Sequence, residues 1–285
     1  MQKIYKFFLT LLLLAGFLVQ AGFCALSDEF KAKLTTLKWV AYSPTNYDPT
    51  ANVYPTEDSL RGDLQTLYDY GFRAIVTYGS KSTLAQIPRL AAETGFCGVI
   101  MGIWDLADID EIMNAVAAGE YVDGYCVGNE GLNIRYDLDT LKKTIEEIKE
   151  TTGRPATTTE EINDYYNVSL NLISVGDWIF PNIHPFLSRV RDPRKAVVWL
   201  GKHHQLLKKQ AGVGRIIIFK EAGFPTQGAS GATESNQREF FLNLEKTDIP
   251  FVYFEAFDQP WKTGSALEPH WGLFNQHRRP KKYIR

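Results

Sequence analysis

Cysteine is scarce, with three in 285 residues, and Cys24 sits at the end of an N-terminal apolar stretch. Only Cys97 and Cys126 then remain for the body of the chain, so a disulfide framework of more than one bridge is excluded; two buried thiols on neighbouring strands are expected. Excess charge of either sign is missing too. The 31 Lys and Arg stand against 33 Asp and Glu, which removes the electrostatic case for nucleic acid or an anionic membrane surface, both of which favour clustered cations. There is no Pro/Ser-rich linker and no internal repeat, so one large domain is expected. Several motifs are also missing. No G-x-G-x-x-G follows the first strand, which weighs against a dinucleotide fold. No G-x-S-x-G elbow occurs, which weighs against an α/β-hydrolase. Asp105, Asp108 and Asp110 lack calcium-loop spacing and read as acidic residues at a helix start. His203 and His204 are adjacent, and on a helix they cannot share a metal. No metal and no cofactor are expected.

What is present begins with an N-terminal signal. Lys3 and Lys6 precede an uncharged run from Phe7 to Val19 and then Ala21 and Gly22, the order of a secretory signal peptide. The run is shorter than the ~20 residues of a membrane-spanning helix. Cleavage near residue 24, a mature domain over 25–285, and a secreted or periplasmic protein without stable membrane insertion are expected. Phe23 is too bulky for the residue before a lipidated cysteine.

The remainder alternates. Apolar, β-rich segments start at Lys38, Arg73, Gly98, Val122, Arg154, Asp177, Arg215 and Pro250, roughly 23 to 38 residues apart, the size of a strand plus a crossover helix. Between the fourth and fifth, Leu138, Leu141, Ile145 and Ile148 fall on one helical face, with Gly153 as a stop. Eight such units match an α/β fold of the (β/α)₈ TIM-barrel type, with a doubly wound sheet as the alternative. Barrel enzymes keep their chemistry at the C-terminal ends of the strands. Those positions hold Tyr42, Thr77-Tyr78, Trp104-Asp105, Asn129-Glu130, Thr158-Thr159-Glu160, Asn182-Ile183-His184, Glu221 and Glu255. Glu130 ends the fourth strand and Glu221 the seventh, so they can face each other across the mouth. A carboxylate pair flanking a bond is what glycoside hydrolysis requires. Aromatic residues make up 13% of the chain, with 6 Trp and 14 Tyr, a composition suited to sugar faces.

The segments VGNEG (127–131), FKEAGFPTQG (219–228), NIHPF (182–186), FVYFEAFDQPWK (251–262) and EPHWGLF (268–274) resemble glycoside hydrolase family 17, the β-1,3-glucanases and glucanosyltransferases. The resemblance runs from about Trp39 to the C-terminus. It implies a (β/α)₈ barrel and retention of configuration, with Glu130 as acid/base and Glu221 as nucleophile. It also implies Asn129 as the partner of the sugar 2-hydroxyl, sugar contacts from Tyr42 and His184, and Glu255 as a supporting hydrogen-bonding group. By position alone, Trp104, Trp261 and Trp271 flank strand ends, where they either stack on pyranose faces or pack in the core, and Lys262 either meets a sugar hydroxyl or forms a surface salt bridge; Gln259 removes a charge near the eighth strand and bears on subsite affinity or pH profile. Three positions depart from the pattern. Ala222 and Phe224 replace the usual Thr and Trp, and Gln259 stands where Glu is common. The expected function is that of an exported, monomeric β-glucan hydrolase acting on β-1,3 linkages. The rivals are a glucanosyltransferase using the same site and a non-catalytic glucan-binding protein.

Overall fold

The computed structural model describes residues 26–282; the N-terminal signal lies outside them. Eight strands form one parallel sheet: β1 (Trp39–Ala41), β2 (Ala74–Val76), β3 (Gly98–Ile103), β4 (Gly124–Val127), β5 (Ala156–Thr157), β6 (Asn182–Ile183), β7 (Phe219–Gly223) and β8 (Phe251–Phe254). Their order is β5-β4-β3-β2-β1-β8-β7-β6, a ring whose seam falls between β5 and β6. A parallel bridge between Glu161 and Asn182 and a bond from Asn182 N to Glu160 O cross that seam. The chain has the (β/α)₈ fold. Seven strands are buried at every position, as parallel strands covered on both faces must be.

The helix expected after β4 is α5, Leu138–Thr152, following four shorter helices, α1 to α4 (Asp28–Thr36, Glu57–Asp69, Ile87–Thr94 and Ile109–Ala117). Asp137 caps its first turn by accepting from Thr140 N, and Gly153 ends it at φ +66°, a conformation that suits glycine. Leu141, Ile145 and Ile148 are buried on its inner face. Asp108 likewise caps α4 by accepting from Glu111 N.

Strands six and seven start later than their apolar segments. Ile179 and Ile217 form only an isolated bridge, and the ladder between β7 and β8 slips between Phe219 and Ala222. Neither cysteine is bridged, and Cys97 is exposed in the turn before β3 while Cys126 is buried in β4, so the pair of buried thiols expected above is not what forms. Among the described residues no helix is long and apolar enough to cross a membrane.

Candidate active site

A cleft of about 680 Å³ opens at the C-terminal ends of the strands, and Asn129, Glu130, His184 and Glu221 lie in its wall with Tyr47, Tyr54, Tyr78, Trp104, Trp261 and Lys262. One carboxylate oxygen of Glu130, one of Glu221 and a ring nitrogen of His184 all fall within 4.8 Å of one another. Inverting glycosidases hold their carboxyl groups about 6.5–9.5 Å apart to admit a water, and retaining ones about 5–5.5 Å. The closest approach of the two carboxylates here is on the short side of that division.

The loop after β4 aims Glu130. Glu130 takes φ +50° and Gly128 φ +74°. The Tyr136 hydroxyl lies against Gly128, where an added Cβ would come within 2.3 Å of it. That phenol donates to Glu160 Oε1 at 2.8 Å and accepts from Gly131 N at 3.1 Å, so the loop is pinned from beneath. Thr159 Oγ1 donates to Asn182 Oδ1 at 2.9 Å, which fixes the Asn182 amide with its Nδ2 donating to Glu130 Oε1 at 2.7 Å. Burial, and then repulsion from Glu221, push the Glu130 carboxyl above its ordinary value, with Asn182 pulling partly back. Glu130 is biased toward the protonated form that an acid needs.

Glu221 is treated in the opposite way. Burial alone would raise it, but Lys220 and His184 hold it well below the usual carboxylate range. Lys220 Nζ lies 2.9 Å from Oε1 and His184 Nε2 3.3 Å from Oε2. His184 is itself raised, since Glu221, Glu130 and Glu268 outweigh the burial that would lower it. Environments that push two carboxyl groups apart assign one as acid and the other as base or nucleophile.

Lys220 was not legible as a site residue. Successive side chains of a strand point to opposite faces, yet the Lys220 ammonium reaches Glu221 Oε1, in the stretch where the β7 ladder slips between Phe219 and Ala222. Its ammonium is a partner of both Glu221 and Asn129 Oδ1 and lies 4.3 Å above the Tyr78 ring. The one available signal was a lysine inside an apolar run, because a fully buried lysine is rare without a partner. Losing either member of such a pair costs about 3–5 kcal/mol, too much for an incidental contact.

Other expected residues are placed differently. Tyr42 is wholly buried and is not part of the cleft wall; its hydroxyl donates to Asp63 Oδ2 at 2.9 Å. Asp63 also accepts from Thr45 N, Thr45 Oγ1 and Arg278 Nε, so Tyr42 belongs to a network tying the first strand to the C-terminal segment. Glu255 is fully buried beneath the mouth and grips Lys262 Nζ at 2.9 and 3.0 Å. Burial pushes its carboxyl to about 7 against the pull of that cation. Gln259 is buried, with Nε2 donating to Ser43 O at 2.9 Å and Phe257 O at 3.3 Å. Its Oε1 accepts from Trp261 Nε1 at 2.8 Å. The amide fits because a carboxylate could donate to neither carbonyl, and its task is to seat Trp261. Trp261 meets Tyr47 edge-on with ring centres 6.2 Å apart, and Tyr47 meets Tyr54 at 5.7 Å. These tyrosines line the cleft wall and come from the loop after β1, which no strand-end reading covers. Trp104 is 40% exposed and carries the Arg135 guanidinium on its ring at 4.0 Å. Trp271 is buried and packs on His184 and Phe254.

Glu130, His184 and Glu221 are also the donor types that bind a metal. Here Asn182 donates to Glu130 and the Lys220 ammonium sits on Glu221, a positive charge where a metal ion would have to approach. The set fits a tuned carboxylate pair better than a cation site.

Residues 40–272 match the family model of the BtgE/BtgC glycoside hydrolase domain. A glucan 1,3-beta-glucosidase of Arthroderma benhamiae is 25% identical over 251 residues, covering 77% of this chain and 82% of that protein. A putative glucan endo-1,3-beta-glucosidase, btgC, of Aspergillus niger is 28% identical over 152 residues, 45% of this chain and 22% of that much longer protein. In three dimensions the chain is similar to a glycoside hydrolase family 17 beta-1,3-glucanosyltransferase from Rhizomucor miehei, with a TM-score of 0.69 and 22% identity over 86% of this chain and 96% of that one.

Proposed function

The chain belongs to the BtgE/BtgC glycoside hydrolase family, and from that membership and the site we propose that it is an exported, retaining β-glucan hydrolase acting on β-1,3 linkages. The observation that carries the proposal is the pair Glu130 and Glu221, within 4.8 Å of each other at the barrel mouth and pushed to opposite protonation states.

Glu221, ionised, attacks the anomeric carbon while Glu130 gives its proton to the departing glycosidic oxygen. The glycosyl-enzyme forms with inversion. Glu130, now a carboxylate, takes a proton from water as the water attacks the same carbon, and a second inversion restores the β configuration. Asn129, held through Oδ1 by Lys220, turns its Nδ2 donor to the sugar 2-hydroxyl. Trp261, Tyr47 and Tyr54 supply flat apolar faces for pyranose rings. Lys262, kept in place by Glu255, donates to a sugar hydroxyl. Export rests on Lys3, Lys6 and the apolar run that follows them.

The test is incubation of the purified mature domain with β-1,3, β-1,6 and mixed-linkage glucans, followed by chromatography. Shorter β-1,3-linked sugars from laminarin are expected. Chains longer than the substrate would mark a transferase, in which a sugar hydroxyl replaces water in the second step. Laminarin binding with no released sugar would mark a binding protein.

A further inference from the structure

We propose that Lys220 is a positioning residue of this site, one that holds the nucleophile in its attacking form, orients Asn129, and drives breakdown of the glycosyl-enzyme. The inference rests on the assignment of Glu221 as nucleophile and goes beyond it. Lys220 is 1% exposed, and the contacts of its ammonium are Glu221 Oε1, Asn129 Oδ1 and the face of the Tyr78 ring. Two of these three residues are predicted to touch the same sugar, one at the anomeric carbon and one at the neighbouring hydroxyl. A single buried cation therefore sets the position of both.

The chemistry that follows depends on the state of Glu221. In the free enzyme Lys220 has an anionic partner. When Glu221 bonds to the anomeric carbon its charge disappears, and Lys220 is left facing an ester, a neutral amide and an aromatic ring, its nearest anion now being Glu130, which has just given up its proton and acts on Lys220 through space without a hydrogen bond. That arrangement is costly. In the second step water attacks the anomeric carbon and passes its proton to Glu130. The bond from that carbon to Glu221 breaks with its electron pair returning to the carboxylate, which restores the ion pair. Lys220 thus resists accumulation of the intermediate and makes Glu221 a better leaving group.

The other groups facing Glu221 are His184 from the end of β6, Glu130 after β4, the Cys126 thiol in β4, Tyr78 after β2 and Glu255 after β8. Only His184 among these shares the sign of Lys220, and its contact is longer, at 3.3 Å. Removal of Lys220 therefore leaves Glu221 with one weaker cationic partner and raises its proton affinity.

The experiment compares Lys220→Met and Lys220→Arg with the wild type, using 2,4-dinitrophenyl β-laminaribioside across pH, with thermal melting of each variant. For Lys220→Met the acid limb of kcat/KM should move to higher pH by about 1–3 units, the span an adjacent opposite charge exerts on a carboxylate. Its kcat should fall on the order of 10²-fold, with KM falling alongside as the glycosyl-enzyme accumulates. Lys220→Arg, which keeps the charge, should hold the acid limb near its wild-type position. Equal losses in kcat and kcat/KM with an unmoved acid limb would overturn the proposal, because they describe a scaffold residue. If Lys220→Met does not fold, the double variant K220M/E221Q decides: melting near the wild type supports the charge pairing, and melting no better than the single variant overturns it. Failure of the nucleophile assignment is separately visible, since Glu221→Ala would then retain turnover while the Lys220 variants are scored independently.

Discussion

Glu221→Ala should release no sugar from any natural β-glucan, yet regain turnover of an activated β-glucoside when azide is supplied. The side chain removed is buried in β7 and leaves a space below the anomeric carbon that a small anion can enter. Azide then attacks from the face Glu221 would have used. One displacement occurs in place of two, and the product is the α-glycosyl azide. Loss of the nucleophile removes a covalent step, so residual hydrolysis of natural glucans should lie near the detection limit. The variant also strands Lys220 without its anion, and azide binding beside that cation should favour the rescue. Anomeric proton NMR of the product checks the configuration. Near wild-type hydrolysis by Glu221→Ala would remove the nucleophile from this position.

Glu130→Ala should lose about 10²–10⁴ in rate on natural glucans, the usual contribution of a positioned acid/base group, with the upper end expected because this group acts in both steps. Activated substrates need little protonation of the leaving group, so glycosyl-enzyme formation should survive in the variant. Azide then attacks the intermediate and gives the β-glycosyl azide, the opposite anomer to that from Glu221→Ala. The pH profile should change in a matching way. On the proposed mechanism Glu130 must be protonated for the first step, and its pKa is raised by burial and by Glu221. Activity on natural glucans therefore falls as pH rises through that raised value, and this alkaline limb should vanish in Glu130→Ala assayed on an activated substrate. Rate against pH for both enzymes, with the azide product identified by NMR, tests both statements.

The rhythm of the fold was readable because eight apolar segments are spaced by amphipathic helices, and α5 has its cap, its stripe and its glycine stop in one stretch. Glu130 and Glu221 were readable as strand-end carboxylates, since the ends of β4 and β7 share one rim. What the pattern did not reveal depends on contacts distant in sequence. Tyr42 stands at the end of β1, but the buried Asp63 captures its hydroxyl, and strand position alone does not say which way a ring turns. Lys220 was hidden by the rule of alternating faces, which places it opposite Glu221, whereas its ammonium reaches that carboxylate. Gln259, read as a lost charge, proves to be an amide matched to two backbone carbonyls and one indole. Asn182 was legible as part of a motif, but its role in aiming Glu130 needs Thr159 to fix its amide. Cys97 looked like a strand residue and instead precedes β3, where the turn leaves it exposed.

The central claim is that Glu221 becomes covalently bonded to the sugar. Its most direct test is incubation with 2,4-dinitrophenyl 2-deoxy-2-fluoro-β-laminaribioside, whose fluorine slows breakdown of the intermediate, followed by mass spectrometry of the digested protein. The account predicts one added fluorosugar disaccharide per chain, on the peptide carrying Glu221. An adduct on Glu130 or Glu255, or time-dependent turnover without any adduct, would contradict it.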